Sequence, residues 1–179
     1  TALYLLVVRN PCDWISAMRR TPWHLCPIEF EFCKTHPYIA KGHQFVKNKS
    51  LSEFMVSPWH DYMDPSQGFA NIFELRKFKL GLMLQLQRSL PHNTAVLHLD
   101  KFERNPKSAV DHLAKRFSLK KQAVPRVERG TVHDPLCLSQ FEWDIAQQGL
   151  DWEVEKMFGF TPADCYMCPF APTPPRNSS

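Results

Sequence analysis

Apolar and polar positions along this chain fall into two kinds of segment. Leu3 to Val8 is an unbroken apolar run, which predicts a strand covered on both faces, as in a parallel α/β sheet. The run stops on Arg9, turns through Asn10-Pro11 and gives way to a helical pattern over Asp13 to Arg20. Asn10 is a suitable cap, and Pro11 fits the first helical turn, where its missing N–H costs nothing. The strongest helical pattern runs from Phe69 to Leu90. Glu74, Lys77, Gly81, Gln85 and Arg88 share one face, and Leu75, Phe78, Leu82 and Leu86 share the opposite one. Arg76 and Lys79 break that pattern, because both project within the apolar arc. Such residues either snorkel or pair with a carboxylate, or they brace the loops of a ligand crevice.

Thr94 to Leu99 is a second strand candidate containing His98, with Asp100 at its carboxyl edge. Asn105-Pro106 then caps and opens a helix running through Phe117, with Val110, Leu113, Ala114 and Phe117 on its inward face. Ser50 to Glu53 and Ser139 to Glu142 match capping boxes. Pro58 ends the first of those helices and Gly149 the second. Asp151 to Phe158 forms a last short helix, stopped by Gly159. Residues 21–50 and 118–137 are irregular, and a connection as long as the first is usually a lid or binding loop. The tail from Pro169, ending APTPPRNSS, has the composition of a disordered segment.

The fold class that follows is α/β and helix-rich: a partial parallel sheet flanked by helices, with residues 1–168 forming one domain portion. Two strands cannot bury both faces of a sheet, so further strands are expected upstream. A start at Thr1, in or beside a strand, fits a piece of a longer protein.

Composition changes this picture little. With 179 residues, 44% of them hydrophobic, the chain can fill one core. Its net charge of +4 suits an anionic ligand without marking a nucleic-acid binder. No apolar run reaches the roughly 20 residues that span a bilayer. Six cysteines, an even number, allow disulfides but do not reveal their connectivity. Cys165-x-x-Cys168 is half a zinc site with no obvious second half, and fits a disulfide or simple burial better.

Candidate chemistry centres on Arg9. In parallel sheets ligands bind beyond the carboxyl ends of the strands. A guanidinium there, beside the N–H groups that open a helix, is suited to phosphate or sulfate. The strand-Arg-Asn-Pro-helix junction, NIFELRKFK, VLHLDKFERNPKSAVDHLAKRF and DWEVEKMFGF occur in an order and spacing that resembles the carboxyl-terminal part of a sulfotransferase domain. The resemblance spans about residues 3 to 160. It implies a P-loop-like fold that binds 3′-phosphoadenosine 5′-phosphosulfate and passes its sulfuryl group to a hydroxyl or amine. By the same resemblance Arg9 grips the 3′-phosphate of the donor. The partner serine usually stands eight places later, where this chain has Ala17; Ser16 is the nearest substitute. Arg129 and Gly130, with Arg126 as the substitute, are the nearest counterpart of the later basic loop that in that family covers the same phosphate.

One element of that family pattern is absent. The glycines at 42, 68, 81, 130, 149 and 159 are never grouped, and nothing resembles G-x-x-x-x-G-K-[ST]. Sulfuryl transfer needs that cradle for charge growing on the bridging oxygen, and a base to take the acceptor's proton. Both are expected upstream of Thr1, so no catalytic residue is assigned. The acceptor, a small molecule or carbohydrate, would meet variable loops such as 21–50, and the parent would reside in the Golgi membrane or the cytoplasm.

Three alternatives stand beside this reading. His24-x-Cys26 with Cys33-x-x-His36 offers four zinc ligands, but at no familiar finger spacing and around an apolar IEFEF, so no metal is expected. A binding module for nucleic acid or protein could use Trp23, Trp59, Trp143 and Trp152 for stacking. No alternating basic and aromatic stripe supports it, and nucleic acid is not an expected partner. A Cys-His hydrolase could use Cys12, whose place at a helix start would lower its thiol pKa.

Overall fold

The structure, a computed structural model, describes residues 2–21, 25–27, 46, 48–61, 66–119 and 137–169. The chain begins with β1 (Tyr4–Val8), which leads through Arg9 and Asn10 into α1 (Pro11–Arg20). Asn10 caps α1 as its residue type suggests: its Oδ1 accepts from the backbone N–H of Cys12 at 2.9 Å and of Asp13 at 3.3 Å. A short β2 (Leu25–Pro27) follows, then α2 (Leu51–Val56), β3 (Trp59–Asp61) and β4 (Gly68–Phe69). The Ser50–Glu53 capping box opens α2, and the helix has ended at Ser57, the residue before Pro58. The long helix is α3 (Ile72–Ser89), which starts three residues later than its apolar pattern because Asn71 caps it.

Strand β5 (Thr94–His98) pairs with β1 in parallel, Tyr4 opposite Thr94 and Val8 opposite His98. Its end runs straight into α4 (Leu99–Arg104), then α5 (Pro106–Arg116) capped by Asn105. The last elements are β6 (Cys137–Leu138), α6 (Gln140–Gly149), α7 (Trp152–Met157) and β7 (Tyr166–Met167). Strands β2, β3 and β4 form a small antiparallel sheet, and β6 pairs with β7 in parallel. The described residues are thus mixed α/β, mostly helical, with short parallel strand pairs.

The larger core lies among helices. Ile15 of α1, Phe54 and Met55 of α2, Trp59, Ile72 and Leu75 of α3 and Ala146 of α6 are all sealed from solvent. Each large apolar side chain buried there contributes roughly 1.5–3 kcal/mol. Gly149 is required by close approach rather than by turn geometry. It lies inside the last turn of α6, and a Cβ there would fall 2.3 Å from a ring carbon of Phe73. Gly159 does stop α7 as a left-handed residue, at φ +80°.

The opening strand departs from its expected burial. Leu6 and Val8 are covered, Val8 by Leu80, Phe158 and Phe160. Tyr4, Leu5 and Val7 remain 43%, 44% and 46% exposed. A continuous apolar run therefore marks a strand covered on only one face among the described residues. Leu82, assigned to the apolar face of α3, is likewise 50% exposed.

Candidate functional site

Strand β1 ends where three other elements converge. Beyond Val8, the Arg9–Asn10 peptide is held at both its polar atoms. Its carbonyl oxygen, on Arg9, accepts from Nη2 of Arg76 on α3 at 3.0 Å. Its N–H, on Asn10, donates to Oδ2 of Asp100 on α4 at 3.2 Å. The Asn10 side chain adds a third tie by donating through Nδ2 to the carbonyl of Asp164.

Arg76 is itself fixed. Its Nε and Nη2 donate to the two carboxylate oxygens of Glu155, on α7, at 2.5 and 2.8 Å. Its guanidinium also lies 5.1 Å from the ring centre of Trp14 and 5.9 Å from that of Phe160. The out-of-pattern charge on α3 therefore does both things its position suggests: it pairs with a carboxylate and braces the strand end. The Arg9 side chain is different. It is 29% exposed, and its ion-pair partner is Glu103 of α4, at the long distance of 4.0 Å. Contacts this long and exposed are weak, so the guanidinium is available to a better anion.

His98 lies on the same edge, packed edge-on against Phe160 with ring centres 5.1 Å apart. Burial, seconded by the Lys101 ammonium, pushes its pKa below the usual histidine value, against the pull of Asp100 and Asp164. Helix α4 has two characters. Asp100 and Glu103 serve the Arg9–Asn10 junction, while Lys101 and Phe102 line a cleft of about 480 Å³ with Val96, His98, His112 and Leu113.

The disulfides were not legible in the sequence. Cys12, in the first turn of α1, is bonded to Cys165, and Cys137 to Cys168. Cys12 therefore has no thiol, which overturns the Cys-His hydrolase reading. Cys165 and Cys168 belong to two different disulfides and do not act together as thiolate ligands.

Of the residues assigned to donor binding, Arg9 stands at the strand end as described. Ser16 is in the second turn of α1 and nearly fully covered, and no hydrogen bond joins it to the Arg9 side chain. Arg129 and Gly130, with Arg126, lie outside the described residues. So do Trp23 and the side chains of the candidate zinc ligands His24, Cys26, Cys33 and His36. Among the described residues, no three His, Cys, Asp or Glu side chains are grouped to hold a metal, and no helix is long and apolar enough to cross a membrane. Trp59 is sealed in the core. Trp143 and Trp152 are half-buried, donating through their indole N–H groups to the carbonyls of Cys165 and Gln147. These three are core residues, not stacking platforms. What sequence reasoning missed is the partner set of the Asp100, Glu103 and Glu155 carboxylates and the Asp164 backbone carbonyl. No family model, characterised protein or solved structure matches this chain.

Proposed function

We propose that this chain supplies the 3′-phosphate-binding part of a sulfotransferase domain of P-loop-like α/β fold. The parent would bind 3′-phosphoadenosine 5′-phosphosulfate and pass its sulfuryl group to a hydroxyl or amine of a small-molecule or carbohydrate acceptor. One observation carries this reading. A rigidly held main chain at the carboxyl end of a parallel strand presents the accessible Arg9 guanidinium beside the start of α1. Arg9 is the primary phosphate contact, Ser16 an adjunct on the following helix, and Arg129 and Gly130 the cover from the later loop.

The exposed Tyr4, Leu5 and Val7 support the fold part of the proposal. They leave one face of the sheet open to a further packed layer. Because β1 pairs only with β5 among the described residues, its other edge is open to a further strand, which would bring the phosphosulfate loop. The Cys12–Cys165 and Cys137–Cys168 disulfides support an oxidising compartment, hence the Golgi lumen rather than the cytosol.

Titration with adenosine 3′,5′-bisphosphate tests the proposal. The Arg9→Ala variant should bind it at least about ten-fold more weakly, since a charge-assisted phosphate contact is worth roughly 1.5–3 kcal/mol. Equal affinity of the two proteins would refute the reading. The 179-residue chain by itself should transfer no sulfate, and measurable turnover would show that the phosphosulfate loop is dispensable.

A further inference from the structure

We infer that Arg76, with its counter-ion Glu155, and Asp100 act as positioning residues that aim the Arg9 guanidinium. This inference rests on the donor-binding reading above and adds to it a specific set of supporting groups.

The geometry is a two-sided clamp on one peptide unit. Arg76 holds the carbonyl oxygen of the Arg9–Asn10 peptide at 3.0 Å, and Asp100 holds its N–H at 3.2 Å. The strand ladder cannot do this, because the last paired residues of β1 and β5 are Val8 and His98. The peptide after a strand end is ordinarily free to rotate about its flanking dihedrals. Fixing both of its polar atoms sets the plane of that peptide, and with it the direction in which Cβ of Arg9 leaves the chain. A phosphate-binding arginine displaced by about 1 Å can lose much of its effect.

The chemistry of the clamp argues for the same role. Arg76 and Glu155 are 3% and 1% exposed. A pair buried so deeply is replaceable in many proteins by apolar residues at little cost in stability. Stability by itself therefore gives no reason to keep charges there. A carbonyl beyond the end of a ladder does need a directed donor, and no apolar side chain can supply one. Glu155 keeps the guanidinium oriented, while Trp14 and Phe160 flank it. The free Nη2 hydrogen is thereby directed at the Arg9 carbonyl.

The test uses the whole chain and the double variant Arg76→Met/Glu155→Met, which removes both charges and leaves neither stranded. The variant should keep its melting temperature within a few degrees yet bind adenosine 3′,5′-bisphosphate about ten-fold more weakly. In parallel, hydrogen exchange of the Asn10 amide should quicken about ten-fold relative to amides in the middle of α3. Asp100→Ala should change affinity and exchange in the same direction. Arg9→Ala is the control. If Arg9→Ala leaves nucleotide affinity unchanged, the donor-binding reading fails. If Arg9→Ala weakens binding while the double variant binds like the parent, the clamp is refuted and Arg76 is a core contact only. Unchanged Asn10 exchange in the folded double variant refutes the clamp whatever the nucleotide does.

Discussion

The helical core around α1, α2, α3 and α6 and the layer formed by β1, β5, α4 and α5 are built to different standards. In the first, Phe54, Met55, Trp59, Ile72, Leu75 and Ala146 are fully buried. In the second, neither α4 nor α5 contains a single buried residue, and β1 covers only its alternate side chains. Arg9, Asp100 and Glu103 all lie where the two meet. The arrangement places a rigid body on one side of the proposed phosphate contact and a loosely packed one on the other. An anion bound as proposed would be accommodated by the layer with little packing to lose, which can adjust around the fixed strand end.

Truncating one residue from each region is the bluntest way to break this contrast. Trp59→Ala should cost about 3–5 kcal/mol of unfolding free energy in urea titration, as full-size aromatic deletions in sealed cores do. Phe102→Ala, in the partly covered α4, should cost under about 1.5 kcal/mol, from its partial loss of apolar burial. Comparable losses at the two sites would show that the layers are equally packed.

A second test adds rather than removes atoms. Gly149→Ala drives a methyl group into the Phe73 ring, and should destabilise the helical core by roughly 1–3 kcal/mol. Combining it with Phe73→Leu should recover part of the loss. No recovery would mean that the glycine serves something other than that contact.

Smaller effects are expected at the boundary. Glu103→Gln removes the carboxylate that faces Arg9 at 4.0 Å. It should tighten binding of adenosine 3′,5′-bisphosphate a few-fold, in keeping with the roughly 0.2–1 kcal/mol of an exposed pair. Weaker binding would make Glu103 a helper rather than a competitor. The smallest effect is one of pH. Burial and Lys101 hold the His98 pKa below its ordinary value of 6.5, so the unfolded chain binds a proton more readily than the folded one. Stability should be full above about 6.5 and decline as pH falls toward the folded-state value. His98→Gln should flatten that part of a melting-temperature profile, and an unchanged slope would assign it to other groups.

Local grammar carried much of the fold. The Arg9-Asn10-Pro11 junction, the serine capping boxes and the polar face of α3 all depend on residues within one or two turns, and they lie where their spacing puts them. Strands of two or three residues, such as Gly68–Phe69 and Cys137–Leu138, are too short to show a period of two. The site was only half legible for a different reason. Arg76 betrays itself as a charge in an apolar arc, but nothing near Glu155 points back across 79 positions to it. Asp100 likewise looks like a strand terminator until β5 is laid beside β1. The apolar run at Leu3 to Val8 misled because hydrophobicity records what a strand can pack against, not what covers it.

The Cys12–Cys165 link has a consequence for how the polypeptide is made. It joins residues separated by 153 positions, so α1 emerges from the ribosome well before the residue to which it is covalently tethered. Until then Asn10 also lacks the Asp164 carbonyl to which its side chain donates. Nascent or truncated products that stop short of Cys165 would therefore leave the arginine-bearing edge without both its covalent tether and one of its hydrogen bonds.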